Sequence, residues 1–147
     1  MIQGGCACGR IQYTTDAQPL AVNVCHCVTC QRISGSAFLA FLDIQSSQVT
    51  WTQQPDKWSC SDIAERGHCK MCGSSMSMTY HFEKGRTAIC LGTINETDHS
   101  LQPTAHIFLK DKAPWLVLAD DGIRRWDTFS PGYQGKISKW KAEQTLK

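Results

Sequence analysis

The sequence lacks any long apolar run. The longest, residues 37–42, has six residues, whereas a transmembrane helix needs about 20, so we expect no association with a membrane. The first residues, Met1–Cys6, have neither a basic head nor an apolar stretch. We therefore expect no secretory signal and take the cytoplasm as the compartment.

The chain also has little net charge of either sign. Its formal net charge is +2 over 147 residues, and the basic residues are scattered along it. A nucleic-acid-binding domain usually concentrates lysine and arginine on one face. The charge pattern therefore predicts no nucleic-acid partner, and phosphate-binding glycine motifs are missing as well.

No long segment with helical periodicity precedes the C-terminal end. Short alternating or β-rich runs dominate instead, at the roughly 8–12-residue spacing that is typical of all-β domains. They cover residues 10–15, 20–24, 37–44, 48–52, 76–82 and 87–91. We predict a mainly β fold with one domain over residues 1–135, followed by a charged tail or short helix over residues 136–147.

Cysteine is abundant, with nine residues. An odd number without a secretory signal argues against a disulfide framework. Two cysteines, Cys60 and Cys90, stand alone and are expected to be ordinary thiols. The other seven form three clusters: Cys6 with Cys8, Cys25 with Cys27 and Cys30, and Cys69 with Cys72.

The spacing within these clusters predicts metal binding. Side chains two apart on a strand share a face, so a C-x-C pair can direct two sulfurs to one point. A C-x-x-C pair in a tight turn does the same, with Gly73 supplying backbone freedom. Structural zinc is commonly held by two distant cysteine pairs. We therefore predict one zinc site formed by Cys6, Cys8, Cys69 and Cys72.

Two alternatives remain open on spacing alone. The pair of Cys6 and Cys8 could share a metal with Cys25 and Cys27 instead. A redox role for the C-x-x-C pair is the other alternative, although that motif usually lies in a βαβ context, which this chain lacks.

The middle cluster offers three thiols, not four. Three protein ligands and one open position are typical of a catalytic zinc site. We predict that Cys25, Cys27 and Cys30 are metal ligands with a catalytic role. On a strand, His26 would point away from them and lie outside the ligand set or at the surface.

Three segments in this order resemble the glutathione-dependent formaldehyde-activating enzyme family, which also includes centromere protein V. The resemblance covers roughly residues 3 to 130 and is strongest in the three cysteine clusters. The matching segments are Gly5–Gly9, Cys25–Arg32 with Ser34–Gly35, and Arg66–Ser74. The later segments Pro103–Ile107 and Ala113–Trp115 support it.

The resemblance implies more than the spacing does. It implies a small single domain of folded antiparallel sheets, of the β-tent type, which zinc stabilises. It implies two zinc ions per chain: a structural one on Cys6, Cys8, Cys69 and Cys72, and a labile one on Cys25, Cys27 and Cys30. The implied activity is that of a carbon–sulfur lyase, which forms or cleaves an S-hydroxymethyl adduct of a small thiol such as glutathione with an aldehyde such as formaldehyde.

Two hypotheses for the function follow. In the first, the open zinc site performs the lyase reaction, and Arg32 meets a carboxylate of glutathione. In the second, both zinc ions only stabilise a protein-interaction module, which presents residues such as Trp115 and Trp126. The sequence leaves open whether the chain forms a homo-oligomer.

Overall fold

Two β-sheets form the framework of the protein. The computed structural model describes residues 1–95 and 101–147. A three-stranded antiparallel sheet has the order β1-β2-β5, and an eight-stranded sheet has the order β11-β10-β3-β4-β9-β8-β7-β6. The strands are β1 (Ile2–Gly5), β2 (Gln12–Thr15), β3 (Ala21–Cys25), β4 (Leu39–Gln45), β5 (Val49–Trp51), β6 (Asp56–Ser59), β7 (Ala64–His68), β8 (Ser75–Tyr80), β9 (Arg86–Cys90), β10 (Ala105–Ile107) and β11 (Arg124–Arg125).

The mainly β prediction is confirmed. Most strand pairs are antiparallel, but β10 pairs in parallel with both β3 and β11. The sequence patterns located β2 and β5 by their alternation and β4 by its apolar run. They missed β6 and β7, because β7 has the sequence Ala-Glu-Arg-Gly-His and no apolar alternation.

The described part of the chain also has two α-helices, α1 (Val28–Ser34) and α2 (Pro131–Thr145), and three 3₁₀ helices of three residues each. The sequence analysis did not predict α1. The helix α2 begins before residue 136, because the hydroxyl of Ser130 accepts a hydrogen bond from the backbone of Tyr133 and proline occupies the first turn. The proposed division at 135/136 falls inside this helix. Within the described residues, neither helix is long and apolar enough to cross a bilayer.

The large sheet has an apolar core on each face. Neighbouring strands place Val22, Leu42 and Ile89 side by side, and these residues pack with Ile11 and Tyr13 of the small sheet. The opposite face carries Phe41 and Cys90, which are also cross-strand neighbours. Alternation along the strands therefore separates two cores.

The three cysteine clusters divide between these two cores. Cys6 and Cys69 belong to the core between the sheets. Cys25 and Cys30 belong to the core on the other face. Because the large sheet lies between the two cores, each cluster has its own environment.

Candidate metal centres

Cys6, Cys8, Cys69 and Cys72 come together from two turns. Their sulfur atoms all lie within 4.8 Å of one another, with 3.6 Å between Cys6 and Cys8 and 3.8 Å between Cys8 and Cys69. Zinc–sulfur bonds of about 2.3 Å in a tetrahedron require sulfurs about 3.8 Å apart. The donor set and its spacing therefore fit a tetrahedral zinc ion.

The strand argument for Cys6 and Cys8 was wrong, although the two sulfurs do converge. Strand β1 ends at Gly5, and a turn closed by a 3.0 Å hydrogen bond from the Gly9 backbone to the Cys6 carbonyl carries the pair. Gly9 has a φ of 76° and Gly73 a φ of 77°. Both glycines adopt the left-handed conformation that lets the chain turn back after each pair.

Polar neighbours stabilise thiolates in this four-cysteine cluster. The Nε atom of Arg10 donates to the sulfur of Cys69 over 3.4 Å, and this contact lowers the pKa of Cys69. The hydroxyl of Ser74 lies 3.2 Å from the sulfur of Cys72 and lowers the pKa of Cys72 to about 5. Lowered thiol pKa values favour the thiolate form that binds metal.

Cys25, Cys27 and Cys30 form the second cluster at the junction of β3 and α1. Their sulfurs also lie within 4.8 Å of one another, and the described residues contribute no fourth His, Cys, Asp or Glu to the group. The prediction that Cys27 lies on a strand was wrong. Cys27 is the residue that caps α1, and its sulfur accepts a hydrogen bond from the backbone of Cys30 over 3.3 Å.

Burial and mutual contact shift the pKa values of these three thiols in opposite directions. The neighbouring thiols donate to Cys27 and lower its pKa to about 2. Contact with Cys27 and burial raise the pKa of Cys25. Without a cation the cluster therefore holds protons unevenly, and a divalent cation would allow all three sulfurs to ionise.

Arg66 is a site residue that sequence reasoning missed. It is buried, with 7% of its surface exposed, and its Nη2 atom donates to the sulfur of Cys30 over 3.4 Å. Burial alone would lower the pKa of Arg66, but the charge and hydrogen bond of Cys30 raise it. The one available signal was its position three residues before Cys69.

A buried histidine pair lies next to the three-cysteine cluster. Nε2 of His26 lies 2.9 Å from Nδ1 of His106, and the backbone of His26 donates to the carbonyl of Ile107 over 3.0 Å. His26 is fully buried, which excludes the predicted surface position. Burial lowers the pKa of His26 to about 4 and also lowers that of His106. At neutral pH, therefore, one neutral ring donates to the other.

Comparison with protein families matches residues 1–111 to the glutathione-dependent formaldehyde-activating enzyme family. The chain belongs to this family. Its match includes all seven clustered cysteines and ends before β11 and α2.

The chain is also similar to individual proteins, one by its sequence and one by its structure. An uncharacterised lyase of Schizosaccharomyces pombe is 32% identical over 78 residues, which are 53% of this chain and 57% of that protein. The chain thus matches little more than half of that relative's length. A crystal structure of a Rhodobacter sphaeroides protein has a TM-score of 0.56 at 12% identity, covering 84% of this chain and 98% of that one. The similarity to this crystal structure shows that the two proteins share a fold.

This member of the formaldehyde-activating family has a cavity beside its second cluster. The cavity measures about 510 Å³ and has Cys25 in its wall, and its volume is within the usual range for small-molecule sites. Arg32, by contrast, is exposed on α1 and does not line this cavity.

Proposed function

We propose that this protein is a zinc-dependent carbon–sulfur lyase that forms or cleaves the S-hydroxymethyl adduct of a small thiol with formaldehyde. Membership in the formaldehyde-activating family and the lyase name of the fungal relative support a lyase. The observation that carries the proposal is the cluster of Cys25, Cys27 and Cys30, three convergent thiols of which Cys25 borders a cavity.

We assign two zinc ions to the two clusters. The four-cysteine cluster of Cys6, Cys8, Cys69 and Cys72 has a closed tetrahedral donor set, which suits a structural ion. The three-cysteine cluster leaves one position open and suits a labile ion. When bound there, zinc supplies a coordination position at which a thiol loses its proton.

The chain's own residues then prepare the site for a thiolate nucleophile. Three thiolates on one divalent cation carry a net negative charge, and the buried guanidinium of Arg66 offsets it. The hydrogen bond of His26 to Ile107 fixes the segment between Cys25 and Cys27. The cavity beside Cys25 has room for the organic part of the thiol.

The reaction balances without an added oxidant or reductant. The sulfur forms a bond to the formaldehyde carbon, the carbonyl π bond breaks, and the oxygen takes up the proton that the thiol has lost. The reverse reaction returns the proton to sulfur and releases formaldehyde. Orientation of the two reactants is the main contribution expected from the protein.

Exchange between free and glutathione-bound formaldehyde, followed by NMR on zinc-loaded protein, tests the proposal. Faster exchange than in a blank without protein, and its loss in Cys27→Ser, would support a lyase at the middle cluster. Exchange at the blank rate, with two zinc ions measured per chain, would exclude this activity and favour a zinc-stabilised interaction module.

A further inference from the structure

The cavity beside Cys25 contains a feature that the cysteine chemistry does not require. Its floor is one face of β3, β4, β8 and β9, and a second wall comes from residues 126–133. At the floor lies an ion pair between Asp43 and Arg86, with 3.7 Å between Oδ2 and Nη2. Both side chains are largely buried, with 13% of Asp43 and 21% of Arg86 exposed.

This ion pair does not use all of the hydrogen-bonding capacity of its members. Nη1 of Arg86 donates to the hydroxyl of Tyr133 over 2.9 Å, but the buried Nε atom has no partner among the described residues. The contacts of the Asp43 carboxylate, with Arg86 and with the amide of Asn23 at 3.4 Å, both involve Oδ2. The polar atoms of a buried charged pair normally all have hydrogen-bond partners, because a buried polar atom without a partner costs free energy.

A carboxylate and a guanidinium side by side are complementary to a ligand with adjacent ammonium and carboxylate groups. An α-amino acid carries these two groups on one carbon atom. Its ammonium would donate to Asp43, and its carboxylate would accept from Arg86, the side chain best suited to planar carboxylates. Cysteine and glutathione both combine this head group with a thiol.

We propose that Asp43 and Arg86 bind the α-amino-acid head group of the substrate thiol. The inference rests on the proposed function in that the sulfur of the same ligand faces the cluster at Cys25. Asp43 pairs with Ala21, four residues before Cys25 on β3, which is about 13 Å along the strand. A cavity of about 510 Å³ has space for a short γ-glutamyl peptide, whose length suits this span better than that of a free amino acid. The head group, rather than the thiol alone, would therefore select the substrate.

The aromatic wall of the cavity lies outside the part of the chain that the family model matches. Trp126, Phe129 and Tyr133 line the cavity but follow the residues matched by the family, 1–111. The rings of Phe129 and Tyr133 stack with 6.2 Å between their centroids, and Tyr80 of β8 packs edge-on against Phe129 at 5.7 Å. These contacts hold the aromatic wall against the sheet.

Ligands that cannot react provide the first test. Zinc-loaded wild-type protein is titrated by NMR or calorimetry with S-methylcysteine, whose sulfur has no proton to lose. Two matched ligands each lack one charged group: 3-(methylthio)propionate lacks the amine, and 2-(methylthio)ethylamine lacks the carboxylate. We expect each to bind at least about tenfold more weakly than S-methylcysteine, since hydrogen bonds to charged groups contribute that much.

Substitutions of Asp43 and Arg86 test which residue binds which charged group of the ligand. Asp43→Asn should abolish the preference for the amine, and Arg86→Lys should reduce the preference for the carboxylate because it loses the planar fork. Arg32→Met is the matched control, because Arg32 is exposed and lies outside the cavity. It should bind all three ligands as the wild type does.

S-methylglutathione distinguishes the two sources of the head group. Tighter binding than S-methylcysteine identifies a γ-glutamyl peptide, and weaker binding identifies a free amino acid; either result supports the proposal. Failure of both methylated ligands to bind, or equal binding of the ligand without an amine, would overturn it. Because these ligands cannot exchange formaldehyde, that outcome leaves the lyase proposal standing, and loss of exchange alone leaves the head-group site standing.

Discussion

The Nη2 atom of Arg66 lies 3.4 Å from the sulfur of Cys30, inside the core of the large sheet. The four-cysteine cluster has a counterpart, since Nε of Arg10 lies 3.4 Å from the sulfur of Cys69. Thiolates outnumber the charge of a divalent cation in both clusters. Each arginine therefore offsets part of the excess negative charge next to a buried sulfur.

Replacing Arg66 should weaken metal binding at the middle cluster selectively. We expect Arg66→Met to lower that affinity about 10–100-fold, the usual effect of losing a residue that supports a metal ligand. Arg66→Lys should have a smaller effect because it keeps the charge. Competition with a chromophoric chelator measures the weakly held equivalent of zinc. Unchanged affinity in a folded variant would rule out this role of Arg66.

The two clusters should differ in what their loss does to the fold. Cys69→Ser removes a fully buried sulfur from the core between the sheets and should unfold or aggregate the chain, because a structural metal contributes folding free energy. Cys27→Ser should leave a folded protein that has lost one equivalent of zinc. Metal analysis and thermal melting of both variants check this, and similar melting of the two would refute the division into structural and labile sites.

Cys27 has a second role that serine can replace and alanine cannot. Its sulfur accepts the backbone hydrogen bond that begins α1, and a serine hydroxyl is a good substitute in this position. Cys27→Ser and Cys27→Ala both remove a metal ligand. We expect the alanine variant to be less stable than the serine variant by about 1 kcal/mol in urea unfolding. Equal stabilities would mean that the cap contributes nothing.

A glycine in the small sheet gives a stability test independent of metal. A Cβ on Gly4 would lie 2.3 Å from both the carbonyl of Thr93 and the hydroxyl of Tyr13. Gly4→Ala should therefore destabilise the protein by about 1–3 kcal/mol or more, as overpacking does. Gly135→Ala is the control, because its Cβ meets nothing within 4 Å and alanine favours a helix. Thermal melting should rank Gly135→Ala at or above wild type and Gly4→Ala below it.

The parts of the fold that the sequence predicted are those with a short-range signal. Alternating residues located β2 and β5, and an apolar run located β4. The spacing of cysteines selected the seven thiols that the structure groups into two clusters. The strand geometry assigned to Cys27 was wrong because a helix of only seven residues starts there. Such a helix is too short to produce a periodic pattern.

The charged residues of the site could not be found in the same way. Asp43 lies within an apolar strand, and Arg86 begins a strand more than 40 residues later. Their contact depends on β4 pairing with β9, which places both side chains on one face. That pairing is a long-range property of the sheet, and a local pattern does not contain it.

Asp43 should make the stability of the protein depend on pH. Burial raises its pKa from the usual 3.8 to about 6, with Arg86 opposing and Glu83 reinforcing the shift. Between these values the folded state keeps a proton that the unfolded state has released, so stability falls as pH rises through the window. The full contribution is about 3 kcal/mol. Asp43→Asn should remove this part of the pH dependence.

The titration of Asp43 can be followed directly through the NMR signal of its carboxyl carbon. We expect a midpoint near pH 6 in the free protein, and a midpoint near 3.8 would contradict the role of burial. Bound S-methylcysteine should lower the midpoint, because an ammonium next to the carboxylate favours its charged form. Addition of 3-(methylthio)propionate, which has no ammonium, is the control and should not lower it. A midpoint that responds equally to both ligands would separate the titration from head-group binding, since only the ammonium can account for a specific downward shift.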